Sequence, residues 1–233
     1  MTAVLDHLLA RLGDDAVRSA FVEDRRARVS DAIPQVAASG WASELSQRQD
    51  WLMTMGVKGQ TARVSPATLN SYPAEQRQQL ERDLHSEASA GRGFFYDSIP
   101  VEEGTPGFLG DIYAVLSGPS VLAAMSKLCG SELTAVSAQA TRYRPGQWLT
   151  RHRDDPQGES RQIAYVLSLT AGWHPDWGGL LQFFEDDGTP KDAWSPGLGS
   201  LSLFDVRHVH SVTYVAPYAA APRLSVTGWF STT

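Results

Sequence analysis

The chain has a single cysteine, Cys129, in 233 residues. No intrachain disulfide can form, so core burial has to hold the fold. That usage suits a reducing compartment, and we expect a cytosolic protein. Long apolar runs are also missing. None approaches the roughly 18 residues that a membrane span requires, so no membrane partner is expected. The opening stretch, MTAVLDHLLARLGDD, lacks a basic region and a long apolar core. It therefore does not read as a signal peptide. It reads as a short amphipathic helix with Val4, Leu5, Leu8, Leu9 and Leu12 on one side. Positive charge is in deficit, with 20 Lys and Arg against 26 Asp and Glu, a net charge of −6. This gives no signal for direct nucleic-acid binding. Internal repeats and low-complexity tracts are absent as well.

Apolar residues make up 42% of the chain, enough to build a sizeable core. The first half is mostly helical in pattern. Ser30 or Asp31 is placed to cap a helix carrying Val36, Ala37 and Leu45. Pro73 suits the first turn of another, through Leu80 and Leu84 to Gly91. Phe108 to Leu128 predicts two helices broken near Gly118-Pro119. Arg25–Val29 and Trp51–Val57 predict short strands. Lys58–Tyr72 is polar and irregular, a surface loop or a lid, and Asp97–Gly107 reads as a further loop. Trp177–Pro196 predicts a strand ending in a polar loop. From Leu133 onward, β-rich runs alternate with Gly and Pro: Thr134–Tyr143, Trp148–Arg151, Gln162–Leu169, Leu180–Phe184, Ser200–Phe204, Ser211–Val215 and Leu224–Phe230. Many short strands of this kind imply a mainly β fold with flanking helices, its sheet curled on itself as a jelly roll. We expect one domain over 1–233, with 1–131 a mostly helical support and 132–233 the jelly-roll core that carries the site.

The chemistry concentrates in Tyr143-Arg-Pro-Gly-Gln-Trp-Leu-Thr-Arg-His152-Arg-Asp154. Positions i and i+2 of a strand share a face, so His152 and Asp154 can aim an imidazole and a carboxylate at one ion. With a later histidine they would form the two-histidine, one-carboxylate triad of non-haem Fe(II) oxygenases. Both His208 and His210 could supply it. Arg223 and Ser225 share a strand face further on, and an Arg fork with a hydroxyl suits a carboxylate. Tyr143 is either a half-buried aromatic on a barrel strand or a helper at that same carboxylate. Trp173, Trp177, Trp194 and Trp229 read as packing residues, and Cys129 as buried and inert.

The ordered set Tyr143–Gly146 (Tyr-x-Pro-Gly), His152–Asp154 (His-x-Asp), Gly178–Leu181 (Gly-Gly-x-Leu), Phe204, His210–Val212 (His-x-Val) and Arg223–Ser225 (Arg-x-Ser) resembles the 2-oxoglutarate/Fe(II) dioxygenases of the prolyl-hydroxylase type. His152 to Arg161 is similar to the hypoxia-sensing prolyl hydroxylases. The pattern also resembles the ribosomal-protein prolyl hydroxylases of eukaryotes. The likeness is specific from Gln139 to Ser231 and weaker upstream, at Gly93-Phe-Phe-Tyr96. It implies a double-stranded β-helix, Fe(II) held by His152, Asp154 and His210, and 2-oxoglutarate and O2 as cosubstrates, with ascorbate as an accessory reductant. His210 is favoured over His208 because the family has valine two residues after this ligand, as in Val212. Arg223 and Ser225, helped by Tyr143, would take the distal carboxylate of 2-oxoglutarate. Where the hypoxia-sensing group has a tyrosine for that carboxylate, this chain has Ser168. Tyr165 should face the other way. The resemblance implies hydroxylation of a prolyl residue in a polypeptide. Two other readings share the metal centre or the scaffold: a hydroxylase of a free amino acid or other small molecule, and a cupin-like binding module without catalysis.

Overall fold

The computed structural model describes residues 1–155 and 160–232. Its elements, in chain order, are helices α1 (Thr2–Leu12) and α2 (Asp15–Asp24), strand β1 (Arg26–Val29), helix α3 (Gln35–Gln47), strands β2 (Leu52–Val57) and β3 (Gln60–Val64), helices α4 (Pro66–Ser71) and α5 (Ala74–Ser89), strand β4 (Phe94–Val101) and helices α6 (Phe108–Leu116) and α7 (Pro119–Cys129). Strands β5 (Ala135–Val136), β6 (Ala138–Tyr143), β7 (Trp148–His152), β8 (Arg161–Ser168), β9 (Leu181–Phe184), β10 (Pro190–Trp194), β11 (Leu201–Asp205), β12 (Val209–Val212) and β13 (Arg223–Ser231) follow.

The strands form one antiparallel sheet in the order β1-β11-β8-β13-β6-β4-β7-β12-β9-β10, with β2 on β4, β3 on β2 and β5 on β13. The sheet curls so that β7, β12, β9 and β10 face the β11-β8-β13-β6 layer, giving the jelly roll that the strand pattern implied.

Period-two alternation sorts the two faces of that layer. Ile163, Tyr165 and Leu167 of β8, with Leu224, Val226 and Phe230 of β13, are buried against the helices in one large cluster. That cluster also takes Leu8 of α1, Phe21 of α2, Leu45 of α3, Ile112 of α6 and Met125 of α7. Each such side chain contributes about 1.5–3 kcal/mol relative to exposure. The intervening residues, among them Ala164, Ser168, Arg223, Ser225 and Trp229, point into the roll. Tyr165 faces the helices, its hydroxyl donating to the Ser137 carbonyl at 2.9 Å.

Helix α7 shows local signals agreeing with the fold: Pro119 opens it and Gly130, at φ +78°, closes it. Helices α6 and α7 are bent by 52° at the break between them, and among the described residues no single helix is long and apolar enough to cross a membrane.

Four expectations need correction. Helix α3 begins after Pro34, not at Ser30 or Asp31, and Val36 is 88% exposed. The fixed φ of proline starts that helix without a side-chain cap. Lys58–Tyr72 is no irregular loop: β3 pairs with β2 as a hairpin, and α4 follows, capped by the Ser65 hydroxyl. Asp97–Val101, read as loop, lies in β4, an interior strand between β6 and β7. Its polar Asp97 is fully buried because Arg142, Arg144 and Gln147 all donate to it. Trp177–Pro196 is a hairpin rather than a strand with a loop, since Pro190–Trp194 pairs with Leu181–Phe184.

Candidate active site

The inner face of the roll carries the chemistry. Strands β7 and β12 pair with His152 directly opposite His210. Asp154 lies two residues past the end of β7, and its backbone N–H donates to the Val206 carbonyl at 2.9 Å. Asp154 Oδ1 lies 3.3 Å from His152 Nε2, and Oδ2 lies 3.4 Å from His210 Nε2. One ligand atom from each of the three residues can be chosen so that all lie within 4.8 Å of one another.

Both Nδ1 atoms are engaged elsewhere, His152 with the Thr150 carbonyl at 2.9 Å and His210 with the His208 carbonyl at 3.0 Å. A carbonyl accepts, so each Nδ1 carries the proton and each Nε2 lone pair is left for an ion. Burial pushes His210 down to about 4, and neighbouring His152 adds to the effect. Burial would raise Asp154, but the two imidazoles outweigh it and hold the carboxyl down to about 2. Burial would lower His152, but the hydrogen bond to Asp154 raises it. With the Nε2 proton given up to a metal, two imidazoles and one carboxylate suit a divalent ion with open positions. The Phe204 ring packs edge-on at 4.6 Å from His210, which explains why this motif position is aromatic.

His208 is not part of the cluster. Its Nε2 bonds the Asp24 carbonyl at 2.9 Å, at the end of α2. Asp155 is exposed and also takes no part. Pro156, Gln157, Gly158 and Glu159, within the His152–Arg161 resemblance, lie outside the described residues.

Arg223 opens β13, opposite Tyr143 of β6. It is only 3% exposed, and among the described residues its Nε has no hydrogen-bond partner and no carboxylate pairs with it. Burial pulls the guanidinium below its ordinary value. Its carbon lies 5.3 Å from the Tyr143 ring centre, over the ring. Burial also pushes the Tyr143 phenol well up, so it stays neutral and able to donate. Tyr143 stacks on Tyr96 at 5.2 Å. A buried cation without an anion is costly, and a bound carboxylate is what would offset it. Ser225 lies on the same face, fully buried, its hydroxyl bonded to Thr141 Oγ1 at 2.9 Å. Thr141, rather than Ser225, lines the cavity. Ser168 stands opposite Ser225 on β8 with a buried hydroxyl that has no partner among the described residues.

Both groups open onto one cavity of about 970 Å³. Two of the motif glycines are required, one for room and one for its positive φ. A Cβ on Gly178, at φ +70°, would sit 2.0 Å from the Tyr214 carbonyl. Gly146, at φ +87°, makes the turn that returns the chain from Tyr143 to β7.

Sequence reasoning missed several cavity residues. Trp229, read as packing, lines the cavity with Arg161 stacked 3.7 Å over its ring. Its alternation with Arg223 was the available signal. Thr141 had none beyond its strand. Lys58, Gln60, Thr61 and Arg63 of the β2–β3 hairpin form part of the mouth, and only the pairing of that hairpin places them there.

A family model, the 2OG-Fe(II) oxygenase superfamily, matches residues 138–231. Mouse prolyl 3-hydroxylase OGFOD1 is 32% identical over 114 residues, covering 46% of this chain and 20% of that relative. The chain thus spans about a fifth of the length of this curated relative. A Pseudomonas putida prolyl-4-hydroxylase has the same fold, with TM-score 0.65, 22% identity, and coverage of 97% of this chain and 99% of that one. So does a Trichoplax adhaerens prolyl hydroxylase, solved with a hypoxia inducible factor peptide fragment, with TM-score 0.64, 18% identity, and coverage of 99% and 93%. The segment that matches this family model runs from the strand bearing Tyr143 through the three clustered ligands to Arg223, so the similarity covers the residues of the candidate metal and carboxylate sites.

Proposed function

We propose that this chain hydroxylates a prolyl residue within a polypeptide. His152, Asp154 and His210 hold Fe(II), and Arg223 receives the distal carboxylate of 2-oxoglutarate. The observation that carries this reading is a buried Arg223, unpaired among the described residues, in the same cavity as the His–Asp–His cluster. An intact cluster alone fits many metalloproteins. The added cation, awaiting an anion inside the roll, fits an oxygenase that chelates a keto acid.

When bound, iron with 2-oxoglutarate and O2 supplies the oxidative hydroxylation of a C–H bond, giving succinate and CO2 as coproducts. The protein's residues do the positioning. The Thr150 and His208 carbonyls set the imidazole tautomers. The Tyr143 ring lies beneath the Arg223 guanidinium carbon and supports it in the cavity. Ser225 holds the Thr141 hydroxyl at the wall, so the pair can accompany the fork. None of these residues acts as a general acid or base on the C–H bond. The polypeptide substrate is supported by the names of the relatives, mouse prolyl 3-hydroxylase and the Trichoplax enzyme with its peptide. The size and open mouth of the cavity add to that support.

The test is incubation of the purified protein with Fe(II), 2-oxoglutarate and a lysate of its source. Mass spectrometry should find about 16 Da added on proline within peptides, one oxygen atom. Modification of free amino acids or metabolites alone would favour a small-molecule hydroxylase. No 2-oxoglutarate turnover at all would favour a binding module.

A further inference from the structure

We propose that the cavity mouth docks an acidic stretch of polypeptide beside the target proline, with Arg63 and Arg151 as the residues that read it. This rests on the polypeptide reading above and specifies its substrate.

The charge distribution is the first observation. Apart from Arg223 and Asp154, the cavity is lined by Lys58, Arg63, Arg92, Arg151, Arg153 and Arg161, against the carboxylates of Glu87 and Asp155. The chain as a whole carries a net charge of −6. A cationic mouth in an anionic protein is a local field, and such a field selects and steers a partner of opposite sign. Three of the cations are already committed. Lys58 pairs with Asp83 at 2.9 Å, Arg92 with Glu87 at 3.0 Å and Arg153 with Asp186 at 2.7 Å. Arg63 and Arg151 are exposed and have no ion-pair partner among the described residues.

These two arginines stand on strands of one stretch of sheet, joined through β2 and β4. Arg63 is on β3, in the hairpin. Arg151 is on β7, one residue before the His152 ligand. Its guanidinium lies 5.4 Å from the Phe184 ring centre and packs against Gly188, where any side chain would collide with it. A fork held over a ring loses less freedom when it meets a carboxylate. Both line the cavity that holds the metal cluster, so a polypeptide reaching from one to the other would lie at its mouth.

The second observation is the edge of β3. Among the described residues β3 pairs with β2 alone, so its outer edge offers unpaired backbone N–H and C=O groups beside Arg63. Gln60 to Arg63 are all exposed. An extended polypeptide can bond to such an edge, which a nucleic-acid backbone cannot do in register. Edge and charge together favour an acidic peptide over an oligonucleotide.

The experiment uses three peptides with one central proline, flanked by Asp/Glu, by Ser/Gln or by Lys/Arg. Binding to the Fe(II)- and 2-oxoglutarate-loaded protein is followed under argon by fluorescence anisotropy. Hydroxylation is then measured in air. We expect the acidic peptide to bind about tenfold more tightly than the neutral one at low salt, with the gap narrowing as ions screen the mouth. Arg63→Glu with Arg151→Glu should invert the order, so that the basic peptide binds best. That gain cannot come from a misfolded chain. Arg63→Gln with Arg151→Gln should erase the discrimination. Equal binding of acidic and neutral peptides overturns the proposal, as does tighter binding of a single-stranded oligonucleotide. Charge-selective binding without hydroxylation leaves the docking surface standing and removes the prolyl chemistry. Hydroxylation indifferent to flanking charge does the reverse.

Discussion

The Arg223 guanidinium lies 5.3 Å from the centre of the Tyr143 ring and has no carboxylate beside it among the described residues. The ring face offsets part of the cost of that buried charge but cannot supply the two oxygens that a guanidinium fork matches. Arg223→Ala should therefore sharply raise the apparent KM for 2-oxoglutarate, while iron still binds. Loss of one partner of a buried charge pair costs about 2–5 kcal/mol. Arg223→Lys should recover only part, because an ammonium lacks the fork. Steady-state kinetics against 2-oxoglutarate decides it, and an unchanged KM would remove Arg223 from this role.

The metal ligands make a separable prediction. His152→Ala, Asp154→Ala and His210→Ala should each lose bound iron and activity, since a three-residue site has no spare ligand. His208→Ala should retain iron, because its ring bonds the Asp24 carbonyl outside the cluster. Iron per protein, measured after desalting, tests all four. Retention by His210→Ala and loss by His208→Ala would reverse the assignment.

Asp97 ties β4 to the Tyr143–Gly146 turn. It accepts from Arg142 Nε at 2.8 Å, Arg144 Nε at 2.7 Å and Gln147 Nε2 at 3.0 Å, and it is fully buried. Asp97→Ala would leave those donors without their acceptor. We expect a loss of about 3 kcal/mol, as for other broken buried pairs, visible as a lower urea midpoint. A midpoint within error of wild type would show that water replaces the carboxylate freely.

Asp205 gives a pH-dependent signature. Burial would raise its carboxyl, but hydrogen bonds from Arg207, with Arg25 nearby, bring it down to about 2. A depressed carboxylate contributes stability above its unfolded value and loses it as pH falls through the folded one. Asp205→Asn should thus be less stable than wild type by a constant amount from pH 5 to 7. The difference should shrink below about pH 4 and vanish near pH 2, given the ordinary carboxylate range. Thermal melts across pH would show it, and a difference independent of pH would contradict it.

Local information determined a good deal of this protein. Period-two alternation placed His152, Asp154, Arg223 and Ser225 facing inward and Tyr165 outward. Proline and glycine marked the ends of α7, and the leucine spacing marked α1. These depend on neighbours within a few residues, so they are legible without the fold. Other features were decided only by tertiary structure. Asp97 and Pro100 look like loop residues until Arg142 and Arg144, 45 and 47 positions away, neutralise the carboxylate and let β4 run inside the sheet. The hairpin of Gln60–Val64 has no buried side chain to announce it, and only its pairing with β2 places it over the cavity. His208 and His210 stand on the same strand side by spacing alone. The end of α2 claims His208 with the Asp24 carbonyl, and His210 is left opposite His152. For Asp97 and His208 the deciding partner is distant in sequence, and for the hairpin the distant step is the pairing of β2 with β4, so only the folded chain brings these groups within hydrogen-bonding reach.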